Sequence, residues 1–278
     1  MELLFRFLGY LPLRALHALG AALGVMAYAF SERSRRFTRQ NLAIAGLTQQ
    51  VSPWRVMIEE GRAATELAWI WSHSQQAIVS KVVSVSGWDW VDRARNEGKG
   101  ILFLTPHLGC FEITAQYLAT QAPITVLYRR PKQAWLVQLV ENGRGNNLSI
   151  AAADVSGVRT LIRALRAGEA IGMLPDQVPG NGEGVWAPFF GKPAYTMTLA
   201  ARLAANGATT LLIHAERLPR GAGYHIEVQP FTETLAGTPE ENAAAINRAI
   251  EAQIRKCPQQ YAWNYNRYKV PAGAEPPP

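Results

Sequence analysis

The sequence is poor in the residues that build disulfide frameworks and cysteine-rich metal sites, since only Cys110 and Cys257 occur among its 278 residues. Two cysteines cannot supply several disulfide bridges or a four-cysteine zinc site, and they agree with a reducing compartment. The five histidines show no His-Glu-x-x-His spacing, and neither a Gly-x-Ser-x-Gly elbow nor a Gly-Lys-Ser/Thr loop occurs. Serine hydrolase and nucleoside triphosphatase classes are therefore disfavoured, and neither a metal nor a cofactor is expected.

Charged residues are also scarce, at 18%, whereas hydrophobic residues make up 48%. This balance is too apolar for a disordered chain and low in charge for a freely soluble enzyme, so we expect some apolar surface to contact lipid. An excess of 28 Lys and Arg over 21 Asp and Glu gives a net charge of +7. Such a charge favours nucleic acid, phospholipid headgroups, a phosphorylated substrate or an acidic carrier protein. Nucleic acid is the weakest choice, because the sequence contains no recognisable nucleic-acid module.

The first 30 residues are dominated by Leu, Ala, Phe and Gly, with Arg6, Pro12 and Arg14 interrupting the apolar run. The uninterrupted part, residues 19–30, is too short to cross a bilayer alone, because a spanning helix needs about 20 apolar residues. A spanning helix and an anchor in the plane of the membrane both remain open, and a cleaved signal peptide is less favoured. The arginines that follow favour a cytoplasmic position for that end; they are Arg33, Arg35, Arg36 and Arg39.

Strand and helix patterns alternate through the middle of the chain, which predicts an α/β fold with a mostly parallel central sheet flanked by helices. The predicted strands are residues 82–85, 101–104, 124–127, 148–151, 170–174, 210–215 and 224–228, the last two forming a hairpin. The predicted helices are residues 54–73, 111–119, 133–142, 158–167, 194–205 and 238–256, the last with a capping box. We expect a Gly- and Pro-rich loop at 175–193 to contact substrate or act as a lid.

This pattern divides the chain into three expected parts. Residues 1–30 form a membrane anchor, and residues 31–270 form one catalytic domain, because a chain of this length can bury one substantial core. Residues 271–278 form a proline-rich tail that has no means of burying surface and is expected to be disordered.

His107 follows a predicted apolar strand and precedes a predicted helix, at the carboxyl end of the sheet, where α/β proteins bind ligands. A histidine there can act as a general base, and Glu112, five residues later, can reach its other ring nitrogen and set its tautomer. The pair can deprotonate a hydroxyl without a covalent intermediate. The alternative is that His107 caps the strand and Glu112 stabilises the helix N-terminus. Cys110, beside His107, fits a small buried residue better than a thiol nucleophile.

Other polar residues are candidates for substrate contacts. Asp176 follows the strand at 170–174 and should open onto the same rim of the sheet as His107, unless it only caps a turn. Arg144 suits a phosphate or carboxylate group, although it could instead stabilise a helix C-terminus. Arg129 and Arg130 either contact phosphate or lie on a basic face.

The segment from Thr105 to Glu112 resembles the His-x-x-x-x-Asp/Glu motif of the glycerolipid acyltransferase superfamily. More closely, the chain resembles the lipid A biosynthesis late acyltransferases, the lauroyl and myristoyl transferases. The resemblance covers most of the chain, and its motifs are residues 39–42, 107–112, 128–131, 144, 174–177, 185–191, 260–263 and 267–269. In one departure, many relatives read Gly-Asn-Trp-Glu where this chain has Gly109-Cys110-Phe111-Glu112, which keeps the base and the carboxylate and changes the residues between them.

The resemblance implies transfer of a fatty acyl chain from acyl carrier protein to a hydroxyl of a phosphorylated glycolipid, the lipid A precursor. The reaction is a secondary acylation in lipopolysaccharide synthesis at the cytoplasmic face of the inner membrane. His107 would be the base and Glu112 its orienting partner, and the residues expected to bind substrate are Arg129, Arg144, Asp176 and Gln177. A lysophospholipid or another lipid acceptor remains an alternative, as does a non-catalytic lipid-binding protein.

Overall fold

The computed structural model describes residues 2–128, 137, 147–180 and 182–277. Its strands are β1 (Val82–Ser86), β2 (Ile101–Leu104), β3 (Ile124–Tyr128), β4 (Leu148–Ala152), β5 (Ala170–Met173), β6 (Gly184–Phe189), β7 (Lys192–Met197), β8 (Thr209–Arg217) and β9 (Tyr224–Pro230). Its helices are α1 (Glu2–Gly9), α2 (Leu13–Phe30), α3 (Glu32–Ile44), α4 (Pro53–Ile70), α5 (Gln75–Val79), α6 (Trp88–Glu97), α7 (Phe111–Gln121), α8 (Val155–Arg166), α9 (Leu199–Ala204) and α10 (Pro239–Ile254).

Within the described residues, seven strands form one sheet in the order β1-β9-β8-β2-β5-β3-β4. All neighbouring pairs are parallel except β8 with β9, which form an antiparallel hairpin. The prediction of a mostly parallel α/β sheet flanked by helices is therefore confirmed. Both neighbours of β2 run parallel to it, so the carboxyl ends of β2, β5 and β8 lie along the same edge.

Strand β2 is buried on both faces, as a central strand between two layers of helices must be. Ile101 and Phe103 pack into one apolar cluster, and Leu102 and Leu104 pack into the other. This alternation follows from the two-residue period of a strand. The sheet therefore separates two cores, one containing α7 and the other containing α8 and α10.

The long loop predicted at 175–193 is wrong from residue 184 onward, and the helix predicted at 194–205 is confirmed only for Leu199–Ala204. Strands β6 and β7 form an antiparallel hairpin across this region, and helix α9 begins only at Leu199. Phe190 and Gly191 have φ of 48° and 75°, the positive values that a tight hairpin turn requires. Proline is tolerated on a strand edge, so Pro188 and Pro193, which face each other here, are misleading as loop signals.

Other differences are smaller. Helix α6 was not among the predicted helices. The predicted helix at 133–142 lies outside the described residues, apart from Val137. The capping box of α10 is confirmed, with Thr238 and Glu241 bonding each other's backbone N–H groups.

Helix α2 is the described helix that is long and apolar enough to cross a membrane, judged by length and composition alone. It packs along α4 through Leu13, Leu16 and His17 at one end and Gly24 and Tyr28 at the other. The N-terminal apolar helix is therefore docked on the rest of the chain over its whole length.

Candidate active site

His107 lies on a short loop between β2 and α7, at the carboxyl edge of the sheet. Backbone contacts hold this loop from both sides, because Leu108 pairs with Tyr261 and Gly109 pairs with Ala215. Gly109 has φ of 60°, and a Cβ atom there would lie 2.0 Å from the carbonyl oxygen of Ala215. Only glycine fits this approach, so the position of the histidine is fixed by the backbone beneath it.

Asp176 binds His107 with both carboxylate oxygens. His107 Nδ1 lies 2.8 Å from Oδ1, and the backbone N–H of His107 donates to Oδ2 at 2.9 Å. The expectation that these residues share one rim is confirmed, because β2 and β5 are paired neighbours whose carboxyl ends coincide. Since an ionised carboxylate only accepts hydrogen bonds, Nδ1 carries the proton of the neutral imidazole, and Nε2 then has the lone pair.

Glu112 was the expected orienting partner of the imidazole, and this role stays a prediction; the carboxylate that the structure places on Nδ1 is that of Asp176. Glu112 begins the first turn of α7 and lines the same pocket as His107. A spacing of five residues brings the two groups to one pocket, whereas the carboxylate on Nδ1 follows β5, the neighbouring strand of the sheet.

Three carboxylates act on the ionisation of His107. Burial alone would lower the pKa of His107, but the charge and hydrogen bond of Asp176 outweigh it, with smaller contributions from Glu60 and Glu112. The pKa is consequently raised above its ordinary value. Burial opposes ionisation of Asp176 as well, yet the charge of His107 and its hydrogen bonds lower the pKa of that carboxyl.

Gln177 reaches the other side of the ring. Its Nε2 lies 3.1 Å from His107 Nε2, where an amide N–H can donate to the ring lone pair. The following residue, Val178, donates its backbone N–H to the Tyr265 hydroxyl at 3.0 Å. Asn41 holds the backbone of the same C-terminal segment by donating to the carbonyl oxygens of Trp263 and Tyr265. These contacts give two of the sequence motifs a structural role beside the site.

Glu60 is a site residue that the sequence reasoning missed. Burial raises its pKa to about 7, against the lowering effects of His107, Arg217 and hydrogen bonds with Asn264. Its Oε1 atom is buried and has no hydrogen-bond partner among the described residues. The available signal was the density of charged residues on α4, a helix otherwise rich in apolar residues.

A buried ion pair between Arg217 and Glu66 supports the histidine loop from below. Arg217 Nε donates to Glu66 at 2.7 Å, and Nη2 reaches the other oxygen of Glu66 and the Gly109 carbonyl. Tyr224 donates its hydroxyl to Glu66 at 2.9 Å, and His17 Nε2 lies 3.1 Å from it. Although burial opposes it, this environment lowers the pKa of Glu66, so the pair stays ionised.

A pocket of about 250 Å³ opens beside the histidine, between α7 and strands β2, β3 and β5. His107 and Glu112 are half-buried at its polar end, whereas Leu118 and Ile124 are buried. Six residues of helix separate Glu112 from Leu118, a length of about 9 Å. The pocket therefore runs from an imidazole and a carboxylate into an apolar interior, whose lining includes Phe103, Leu118, Ile124, Val126, Gly172 and Ile213.

Cys110 is buried beneath this pocket and has no sign of nucleophilic chemistry. Burial, together with the charge of Glu66, raises the pKa of its thiol well above the ordinary value. A thiol that stays protonated is a poor nucleophile, which supports the interpretation of Cys110 as a packing residue.

Arg129 and Arg144, two of the predicted substrate contacts, lie outside the described residues. Within those residues, no group of three His, Cys, Asp or Glu is arranged to hold a metal ion.

Comparison with known proteins identifies the family of this chain. A sequence model of the bacterial lipid A biosynthesis acyltransferases matches residues 3–270. The chain belongs to this family.

Individual relatives align with most of this chain. The lipid A biosynthesis palmitoleoyltransferase of Escherichia coli (strain K12) is 28% identical over 271 residues, covering 94% of this chain and 87% of the relative. The lauroyltransferase of the same organism is 28% identical over 275 residues, with the same coverage. A lipid A biosynthesis acyltransferase of Haemophilus influenzae is 27% identical over 253 residues, covering 86% of this chain and 78% of the relative.

The charges around the imidazole of this acyltransferase can be tested by histidine ring NMR titration. Asp176→Asn should lower the pKa of His107 most, because it removes both the nearest charge and a charge-assisted hydrogen bond. Glu60→Gln and Glu112→Gln should lower it less, since the charges of these two carboxylates contribute less than that of Asp176. An unchanged or raised pKa in Asp176→Asn would contradict the assignment of this pair.

The buried ion pair of the acyltransferase predicts a large loss of stability in Glu66→Gln. Arg217 would lose its bidentate carboxylate partner and keep Glu59, which accepts from Nη1 at 2.9 Å, so the expected cost is about 2 to 3 kcal/mol. Urea unfolding measures this difference, and the exposed Glu169→Gln is a matched control, expected within about 0.5 kcal/mol of the parent. A loss below about 1 kcal/mol in Glu66→Gln would show that the pair does not support the fold.

Proposed function

We propose that this acyltransferase moves a fatty acyl group from acyl carrier protein to a hydroxyl of a lipid A precursor, with His107 as general base. The observation that carries the proposal is the pocket with His107 at its polar end and an apolar interior beyond it. The names of the relatives, which act on lipid A with palmitoleoyl or lauroyl groups, support the acceptor and the type of donor chain.

The geometry suits a base that acts through Nε2. Asp176 holds the proton on Nδ1, so the Nε2 lone pair can take the proton of the acceptor hydroxyl. The resulting alkoxide would attack the thioester carbonyl, and the carrier thiolate would leave with the proton from the imidazolium. Only neutral His107 can begin this cycle, so activity should fall as the pH drops through its raised pKa.

Gln177 has a place in this scheme because its amide holds the nitrogen that the hydroxyl must reach. We propose that the acceptor displaces the amide, which then donates to the substrate instead of to the ring. Preorganised donors of this kind lower the barrier when they face the oxygen on which charge develops.

The apolar interior of the pocket is proposed to receive the donor acyl chain. Its volume of about 250 Å³ lies just below the range of about 300 to 1,000 Å³ typical of ligand sites. A slender alkyl chain fits such a space better than a glucosamine disaccharide, so the acceptor is proposed to stay outside it. Arg129 and Arg144 are proposed to bind the phosphorylated headgroup there, because guanidinium groups suit phosphate.

The net charge of +7 supports an acidic carrier protein as donor and an anionic membrane as the place of action. We propose that the enzyme works at the cytoplasmic face of the inner membrane. Residues 31–270 are proposed as the catalytic domain, residues 1–30 as the membrane anchor and residues 271–278 as a disordered tail.

His107→Ala should abolish the base and slow acyl transfer by about 100 to 10,000-fold, the usual contribution of general base catalysis. The assay is mass spectrometry of the product formed from acyl carrier thioesters and a phosphorylated disaccharide precursor. His225→Ala is the matched control, because that histidine bonds Ser84 and Ser86 at the sheet edge. Undiminished turnover in His107→Ala would remove the mechanism, and acylation of lysophospholipid alone would replace the acceptor.

Leu118→Ala should shift the preference toward longer acyl chains, because it removes a side chain that lines the buried end of the pocket. Competition among thioesters of different length measures the shift. Leu161→Ala deletes the same atoms from the core on the other side of the sheet, so it controls for lost stability. Equal chain preferences in the two variants would place the acyl chain elsewhere.

A further inference from the structure

The two faces of helix α2 differ sharply. One face is buried against α4, whereas the other is exposed and, after Arg14 in the first turn, made of apolar residues. Met26 is 54% exposed and Phe30 is 84% exposed. The members of this outer face are Ala15, Ala18, Leu19, Ala22, Leu23, Val25, Met26, Ala29 and Phe30.

The inner face is locked to α4 by backbone contact. A Cβ atom at Gly24 would lie 1.9 Å from the carbonyl oxygen of Met57, and one at Gly61 would lie 1.9 Å from that of Gly20. Thr65 on α4 also donates its hydroxyl to the carbonyl oxygen of Leu16 at 2.8 Å. The helices approach so closely that α2 cannot turn or slide without breaking these contacts.

The partner helix could not follow α2 across a bilayer. Helix α4 carries Arg55, Glu59, Arg62 and Glu66, and Glu66 is bonded to His17 on α2. Moving α2 to a spanning position would either carry these charges into hydrocarbon or separate the buried His17 and Glu66.

The end of the outer face carries positive charge. Arg33, Arg36 and Arg39 are exposed on α3, directly after Phe30. Basic residues at this level attract anionic headgroups, each adding about fivefold to the affinity for an anionic surface. An apolar strip bordered by arginines is the pattern of a helix that lies in a membrane interface.

We propose that α2 does not span the bilayer and instead lies in the plane of one anionic leaflet, with its outer face among the acyl chains and its arginines at the headgroups. This inference rests on the proposed membrane location and adds the manner of attachment. It also links lipid to the site, because His17 contacts Glu66, Glu66 binds Arg217, and Arg217 reaches Gly109 beneath the histidine loop.

Flotation with vesicles tests the surface. Leu23→Glu with Met26→Glu should reduce binding of the full-length protein to phosphatidylglycerol-containing vesicles by at least about tenfold. Val155→Glu, on α8, changes an equally exposed apolar residue elsewhere and should leave binding unchanged. Equal binding of the double variant and this control would overturn the proposal. Light scattering tests a second copy of the chain as the occupant of the outer face. If the double variant loses only dimers and still binds vesicles, the outer face contacts another copy and the proposal is overturned.

Topology decides between an in-plane and a spanning helix. In sealed inside-out inner-membrane vesicles, protease should remove both an N-terminal and a C-terminal tag if α2 lies in the cytoplasmic leaflet. Protection of the N-terminal tag alone would show that α2 crosses the bilayer and would overturn the proposal. Acyl transfer in detergent should persist in the Leu23→Glu, Met26→Glu protein. If the parent protein also shows no acyl transfer, the result counts against the proposed function, and the topology result still stands.

Discussion

The buried pair of Arg217 and Glu66 is the constraint on which the arrangement around His107 depends. It joins the end of β8 to α4. Arg217 Nη2 also donates to the carbonyl oxygen of Gly109, on the loop that follows β2. Ions in an apolar interior are stable only when each is fully partnered, so these elements can assemble in few other ways. The same pair receives His17 from α2, which makes the N-terminal helix part of the support for the site rather than an appendage.

Much of the sheet could be predicted from sequence because its strands are short apolar runs separated by amphipathic helices. Local patterns of this kind specify elements well, as β2 and β5 illustrate. They failed at β6 and β7, where proline and glycine indicated a loop although the backbone forms a hairpin. What decides that region is contact with distant residues: Arg267 donates to the backbone of Tyr195, and Asn247 donates to that of Pro188. No local pattern contains such information.

The site shows the same limit. His107 and Glu112 could be identified because they lie five residues apart on a strand-to-helix junction. The placement of Asp176 on the same rim followed from strand order, but its role on the imidazole did not, since a hydrogen bond depends on side-chain direction. Glu60 was not identifiable at all, because its effect on His107 arises from burial and proximity across the fold. Sequence thus indicated which residues meet in the pocket, and packing determined the hydrogen-bond partner on Nδ1 of His107.

The hydrogen bond between His107 and Asp176 joins residues that are 69 positions apart in the chain. During synthesis, the imidazole leaves the ribosome long before its carboxylate does, and the two meet only when β5 has inserted beside β2. Until that moment the histidine has neither its tautomer nor its raised basicity. A nascent or truncated chain that lacks β5 therefore cannot form this pair, even when its N-terminal helices are already folded.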